Sequence, residues 1–143
     1  MQHGPWFEAS RQGKPALFVL SGEAGIGKTR LALEFGEGAR ARGAQVFSAT
    51  CWEGDGAPAF WPWTQLFRAH LDTARPMSRH PRDSGTDALH QLFPDLAALA
   101  RDPSGGHGPA GDQRRFHFFE AVGSYWQAVA QDQPLVLLFD DLQ

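Results

Sequence analysis

Gly22-Glu23-Ala24-Gly25-Ile26-Gly27-Lys28-Thr29 is a complete G-x-x-x-x-G-K-T run, and its reading decides the fold. The flanks agree with it. Before it stands Ala16-Leu17-Phe18-Val19-Leu20-Ser21, apolar on both faces like a parallel strand covered by helices. Pro15 suits a strand start, where its missing N–H does least damage. After the run, residues 28–42 read as a helix, with Leu31, Phe35 and Ala39 spaced four apart and Gly43 as terminator. Gly36 and Gly38 weaken that helix by roughly 1 kcal/mol each, so it is expected to rely on tertiary packing. The expected ligand is a nucleoside triphosphate with magnesium.

The chemistry needs these residue types at this spacing. A triphosphate packs several negative charges into a small volume, and backbone N–H groups converge on it only where the chain turns tightly. Glycine permits that turn at Gly22, Gly25 and Gly27, while Glu23, Ala24 and Ile26 contribute main-chain groups. The helix that follows adds its unpaired N–H groups and its positive end. Lys28 supplies a mobile point charge for the outer phosphates, and the Thr29 hydroxyl stands one residue on for magnesium. Arg30 completes the candidate set; its alternative reading is a solvated helix residue. A chance glycine turn is the competing account of the whole run, and the strand before it and helix after it argue against that.

Further along, residues 46–50 read as a second strand, so that strand–helix–strand opens a parallel α/β sheet. Residues 51–62 form a Gly/Pro/aromatic loop, followed by a helix over 63–71 bearing Leu66, Phe67 and His70. Residues 73–86 read as an exposed excursion, 87–93 as a short helix, and Pro94 as the start of a further turn or helix through residue 100. Residues 102–111 are the most linker-like stretch. Asp112 is placed to cap a helix over 113–131, with Phe116, Phe119, Val122 or Gly123, Trp126 and Ala130 as its buried stripe. Pro134 ends the connection, and residues 135–139 read as the third strand, ending in Asp140-Asp141. Asp140, closing a buried strand beside the loop, is the second expected magnesium contact, and Asp141 the carboxylate that polarises an attacking water. A strand ending at a turn with solvated acids is the plainer alternative.

Composition narrows the function classes. At 143 residues the chain is one domain at most, with 42% hydrophobic residues and a formal net charge of -3. Its thirteen basic residues are scattered, with Arg114-Arg115 the one adjacent pair, so this segment is not expected to bind nucleic acid directly. That pair could serve a neighbouring subunit as an arginine finger, a solvated face being the safer reading. Cys51 stands alone, which excludes an internal disulfide framework and a multi-cysteine metal site. His70, His90, His107 and His117 have no mutual spacing that suggests zinc. No signal peptide or membrane-length apolar run is evident, so the expected location is cytoplasmic, with no membrane partner. Phe60-Trp61-Pro62-Trp63 reads as a satellite core, with base stacking or a partner contact as alternatives.

The residues 20–31 and the magnesium strand Leu135-Val136-Leu137-Leu138-Phe139-Asp140-Asp141-Leu142-Gln143 resemble the Walker A and Walker B segments of bacterial AAA-like and STAND-type ATPases. These modules occur in LuxR-type and maltose-regulator-like multidomain transcriptional regulators. Cys51-Trp52-Glu53-Gly54 and Ala57-Pro58-Ala59-Phe60-Trp61-Pro62-Trp63 resemble the segment after their second strand. The implied fold is α/β, a P-loop NTPase with a parallel sheet and flanking helices, incomplete, with three recognisable strands.

Residues 1–14 are then a loose lead-in, and residues 15–143 the N-terminal part of the ATPase domain. In the family's sheet order a strand from beyond residue 143 lies between the strands at 16–21 and 135–140, so the chain is expected to leave a gap in its own sheet and to be a fragment. The resemblance implies ATP and Mg2+ as ligands, and an intact parent that hydrolyses ATP to ADP and phosphate as a signalling or transcription-regulatory switch. Lys28 and Asp141 would be its catalytic residues, and Thr29 and Asp140 its metal contacts. The isolated chain is expected to be weak or inactive; a homo-oligomer has room in this reading, and the parent's DNA contacts would come from another domain. The rival is a non-catalytic nucleotide-binding or protein-interaction piece, and a small-molecule kinase shares the loop.

Overall fold

The computed structural model describes residues 13–51, 60–74 and 109–142. Residues 1–12 of the expected lead-in (1–14), the loop residues 52–59, the segments from 75 to 100, and residues 102–108 of the linker stretch lie outside the described residues. In chain order the elements are helix α1 (Lys28–Arg40), strand β1 (Gln45–Thr50), helix α2 (Trp61–Ala74), helix α3 (Pro109–Asp132) and strand β2 (Leu135–Asp140). The strands pair in a parallel two-stranded sheet. The Gln45 N–H donates to the Pro134 carbonyl (2.8 Å), and the Cys51 N–H to the Asp140 carbonyl (2.9 Å), the same offset at both ends. No helix among the described residues is long and apolar enough to cross a membrane.

The strand expected over 16–21 does not form. A strand needs a neighbour to take its N–H and C=O groups, and the one sheet among the described residues joins β1 to β2 alone. Residues 14–23 carry no regular structure, and their apolar side chains face water, Leu17 at 90% exposure and Val19 at 74%. Three recognisable strands therefore become two. An apolar run of this kind becomes a strand only against a partner that takes its N–H and C=O groups.

The described residues fall into two compact units. The first holds α1, residues 45–46 of β1, residues 126–132 of α3 and residues 135–138 of β2. Its core is Ala39, Ala44 and Val46, with Val136 and Leu138 packed against them. Gly36 explains how α1 comes so close to the strands: a Cβ there would stand 3.1 Å from Leu138 Cδ1 and 3.2 Å from Val46 Cγ1. The stripe expected from Leu31 is displaced accordingly. Gly36 and Ala39 are the buried positions of α1, and Leu31 is 56% exposed, because a glycine face lets the backbone itself approach.

The helix stops as its sequence anticipates. Gly43 has φ +85°, its N–H donates to Arg40 O (2.9 Å), and the Ala44 N–H donates to Ala39 O (3.1 Å). This is the paired arrangement in which a left-handed residue satisfies the last carbonyls. Arg40 Nη2 adds a bond to Val46 O (3.0 Å), tying the end of α1 to β1.

The second unit holds the rest of β1, α2, α3 as far as Tyr125, and the chain from Phe139. Leu66, Phe67 and Phe118 are its most deeply buried side chains, joined by Phe47, Ala49 and Val122. Phe60 meets Phe118 at 4.6 Å between ring centroids, and Phe67 meets Tyr125 at 5.0 Å. Trp63 packs edge-on to Phe139 at 5.1 Å. The aromatic segment 60–63 thus contributes rings to this unit's own packing, as the satellite-core reading expects.

Helix α3 begins at Pro109, four residues before the expected start, so Asp112 lies in its first turn instead of capping it. Proline is favoured at a first helical position, where its missing N–H costs nothing. The expected buried stripe holds at Val122 and Trp126 and differs at its other positions. Phe118, Val122 and Trp126 are inside, while Phe116 (64%) and Phe119 (48%) face outward and Ala130 is exposed. With Phe116, Phe118 and Phe119 all apolar, two overlapping helical phases fit the sequence equally, and packing selects the one through Phe118. Helix α2 runs longer than the expected 63–71 at both ends.

Candidate nucleotide site

The glycine-rich loop lies in the first unit, and each of its turns has a local cause. Gly25 (φ +79°) and Gly27 (φ +101°) are left-handed, a conformation that costs a side-chain-bearing residue roughly 1–2 kcal/mol. Between them the Ile26 N–H reaches back to Glu23 O at 3.4 Å, and Gly22 leaves room for the Ile26 side chain, 3.2 Å from where its own Cβ would be. Ala24 sits in the turn, and Ile26 is 72% exposed.

Gly27 is the N-cap of α1, and the helix ladder starts with the Leu31 N–H on Gly27 O at 3.0 Å. No side chain caps this terminus, and its first turn holds no acid. A helix end of this kind keeps its first N–H groups and its positive pole for an external anion.

Lys28 opens the helix and is half-buried. Its Nζ donates to Gly22 O and to Glu23 O, each at 2.9 Å. An ammonium has three N–H groups, so one remains for a ligand while two brace the loop. Thr29 follows on the exposed side of α1. Arg30 Nε pairs with Glu34 Oε1 at 3.0 Å on a solvated face, as its alternative reading has it.

The two acids lie in the second unit. Asp140 ends β2, its backbone carbonyl held by the Cys51 N–H (2.9 Å) and its Oδ1 accepting from the Asp141 N–H (3.0 Å). That leaves Oδ2 of Asp140 for another partner. Asp141 is exposed and has φ +55°, one of two described non-glycine residues in the left-handed region, Phe60 being the other.

Among the described residues no group of three or more His, Cys, Asp or Glu could cage a metal. Mg2+ usually takes one or two carboxylates together with substrate phosphates and water, and the Asp140 carboxylate is a donor of that kind.

The sequence reading missed Gln65. Its side-chain amide meets the backbone of Thr50 twice: Nε2 donates to Thr50 O (2.9 Å), and the Thr50 N–H donates to Oε1 (3.4 Å). The amide stands in for a neighbouring strand at the end of β1. Nothing in a glutamine at a helical position signals this. Of the Arg114-Arg115 pair, read as a solvated face with an arginine finger as its alternative, Arg115 is half-buried on α3, and the Arg114 side chain lies outside the described residues. Cys51 is half-buried and free.

Comparison with curated proteins and with solved structures finds no match. The family profile of the AAA ATPase domain matches residues 6–143, nearly the whole chain, and with it come a P-loop NTPase-type domain and nucleotide binding. The chain belongs to the AAA ATPase domain family.

Proposed function

We propose that this domain binds ATP together with Mg2+, and that in an intact parent protein of the STAND or LuxR type ATP is hydrolysed to ADP and phosphate as a signalling or transcription-regulatory switch. The observation that carries the phosphate half is the uncapped, acid-free start of α1 behind two left-handed glycines. The backbone N–H groups of residues 22–30 would donate to phosphate oxygens, and Lys28 would add its third N–H and its charge. Thr29 Oγ and the Asp140 carboxylate would hold Mg2+, which supplies charge neutralisation to the phosphates when bound. Asp141 would accept a hydrogen bond from the attacking water and aim it.

The regulatory part of this reading is supported by the likeness of the Cys51–Trp63 and Leu135–Gln143 segments to those modules.

Calorimetry of ATP against the purified chain, with and without Mg2+, tests it. Magnesium-dependent binding that vanishes in Lys28→Ala is the expected result. A folded sample that binds ATP equally with and without Lys28 would remove the phosphate assignment.

A further inference from the structure

Two contacts in the second unit lead from the first turns of α2 to the residue at the end of β2. Gln65 is bonded at both ends of its amide to Thr50, and the next residue, Cys51, gives its N–H to the Asp140 carbonyl at 2.9 Å. Trp63 packs against Phe139, the residue before Asp140, with ring centroids 5.1 Å apart at 68°. The helix that carries both is itself held at its other end, where His70 Nδ1 and Tyr125 Oη stand 2.6 Å apart. Asp140 is thereby braced through its own carbonyl and through its chain neighbour, by two side chains that never touch its carboxylate.

We propose that Gln65 and Trp63 are positioning residues for Asp140, fixing the end of β2 so that its carboxylate meets magnesium in one orientation. The inference rests on the reading of Asp140 as the magnesium carboxylate. It assigns α2 a task beyond core packing, because residues that orient a metal ligand act on metal affinity without contacting the metal.

The test uses the full chain and compares Gln65→Met, Trp63→Leu, Trp63→Phe and Asp140→Asn with wild type. Gln65→Met keeps length and helix preference while deleting both hydrogen bonds, so it is expected to fold. ATP affinity is measured by calorimetry with and without Mg2+. Gln65→Met and Trp63→Leu are expected to lose about tenfold of the Mg2+-dependent gain, while Mg2+-free affinity stays within about twofold. Trp63→Phe, retaining a ring on Phe139, is expected to keep most of the gain. In nucleotide-free protein, amide NMR shifts of Cys51 and Asp141 should move in Gln65→Met.

A parallel loss of both affinities, together with a lower unfolding midpoint, would mean that the two side chains only support the fold, and overturns the inference. Retention of the wild-type gain in Gln65→Met and Trp63→Leu, with its collapse in Asp140→Asn, overturns it too and leaves Asp140 in place. A wild-type chain that binds ATP with no response to Mg2+ removes Asp140's role and the inference together.

Discussion

The Lys28 ammonium donates to the carbonyl oxygen of Gly22 at 2.9 Å, joining the first residue of α1 to the first glycine of the loop. A second bond of the same length reaches Glu23 O. The lysine therefore has two tasks, closing the loop and presenting charge. Lys28→Ala removes both, and a charge-assisted hydrogen bond is worth about 1.5–3 kcal/mol, so ATP affinity is expected to fall at least about tenfold. Calorimetry reads this directly. Because the loop is exposed, the unfolding midpoint should scarcely move, and a large drop in it would recast Lys28 as a structural residue.

Gly36 and Gly38 stand two residues apart on α1 and should respond oppositely to alanine. At Gly36 the new methyl would meet Leu138 and Val46 within 3.2 Å in a closed core, and overpacking of that kind costs about 1–3 kcal/mol. At Gly38 the nearest atom is Arg42 Nη1, the far end of a flexible side chain, and the gain in helix propensity is about 0.5–1 kcal/mol. Urea melts of the two variants would show destabilisation for Gly36→Ala and stabilisation for Gly38→Ala. Matching signs would contradict the close approach of α1 to the strands.

Burial pushes His70 below its ordinary value of 6.5 and Tyr125 above its ordinary value of 10.0. For the histidine, the unfolded chain binds more protons, so its contribution is complete above pH 6.5 and is lost as pH falls through the ordinary value toward the lowered one. For the tyrosine, the folded chain holds its proton longer. Its contribution is complete below pH 10.0 and is lost as pH rises past it. Protonation of His70 makes Nδ1 a donor toward the Tyr125 oxygen, whichever of the two donates when the ring is neutral. Urea midpoints should fall between about pH 7.5 and about pH 5.5, and fall less in His70→Gln. Equal slopes for the two proteins would take His70 out of the acid response.

The sequence was most legible where one residue type has one use. Gly43 ended its helix as read, and Gly25 and Gly27 of the loop, though not Gly22, took the left-handed angles that only glycine adopts freely. Apolar runs were less informative, since they declare that a segment will be buried without naming the neighbour. Leu17 and Val19 have strand chemistry and no ladder, and Phe116 lost the inner face of α3 to Phe118 because either phase buries Val122 and Trp126. Polar positioning was least legible. Gln65 on Thr50 depends on two segments meeting in space, and the bond from the Asp141 N–H to the Asp140 carboxylate depends on the conformation of Asp140 at the strand end. Local sequence carries neither.

Gly27 and Gly43 separate loop geometry from general stability. Both are left-handed, at φ +101° and +85°, and neither has a neighbour within 4 Å of where a Cβ would stand. An alanine at either site is thus penalised by its own backbone alone, by roughly 1–2 kcal/mol. The two changes should lower the urea midpoint by similar amounts. They should differ in binding: Gly27 is the N-cap that sets the aim of the first N–H groups of α1, whereas Gly43 closes the opposite end of that helix. Gly27→Ala is expected to weaken ATP binding about tenfold or more, the cost of about 1.4 kcal/mol in misdirected donors. Gly43→Ala should leave the affinity of the folded fraction unchanged. Equal losses in both would show that binding follows the stability of α1 and not the geometry of its start.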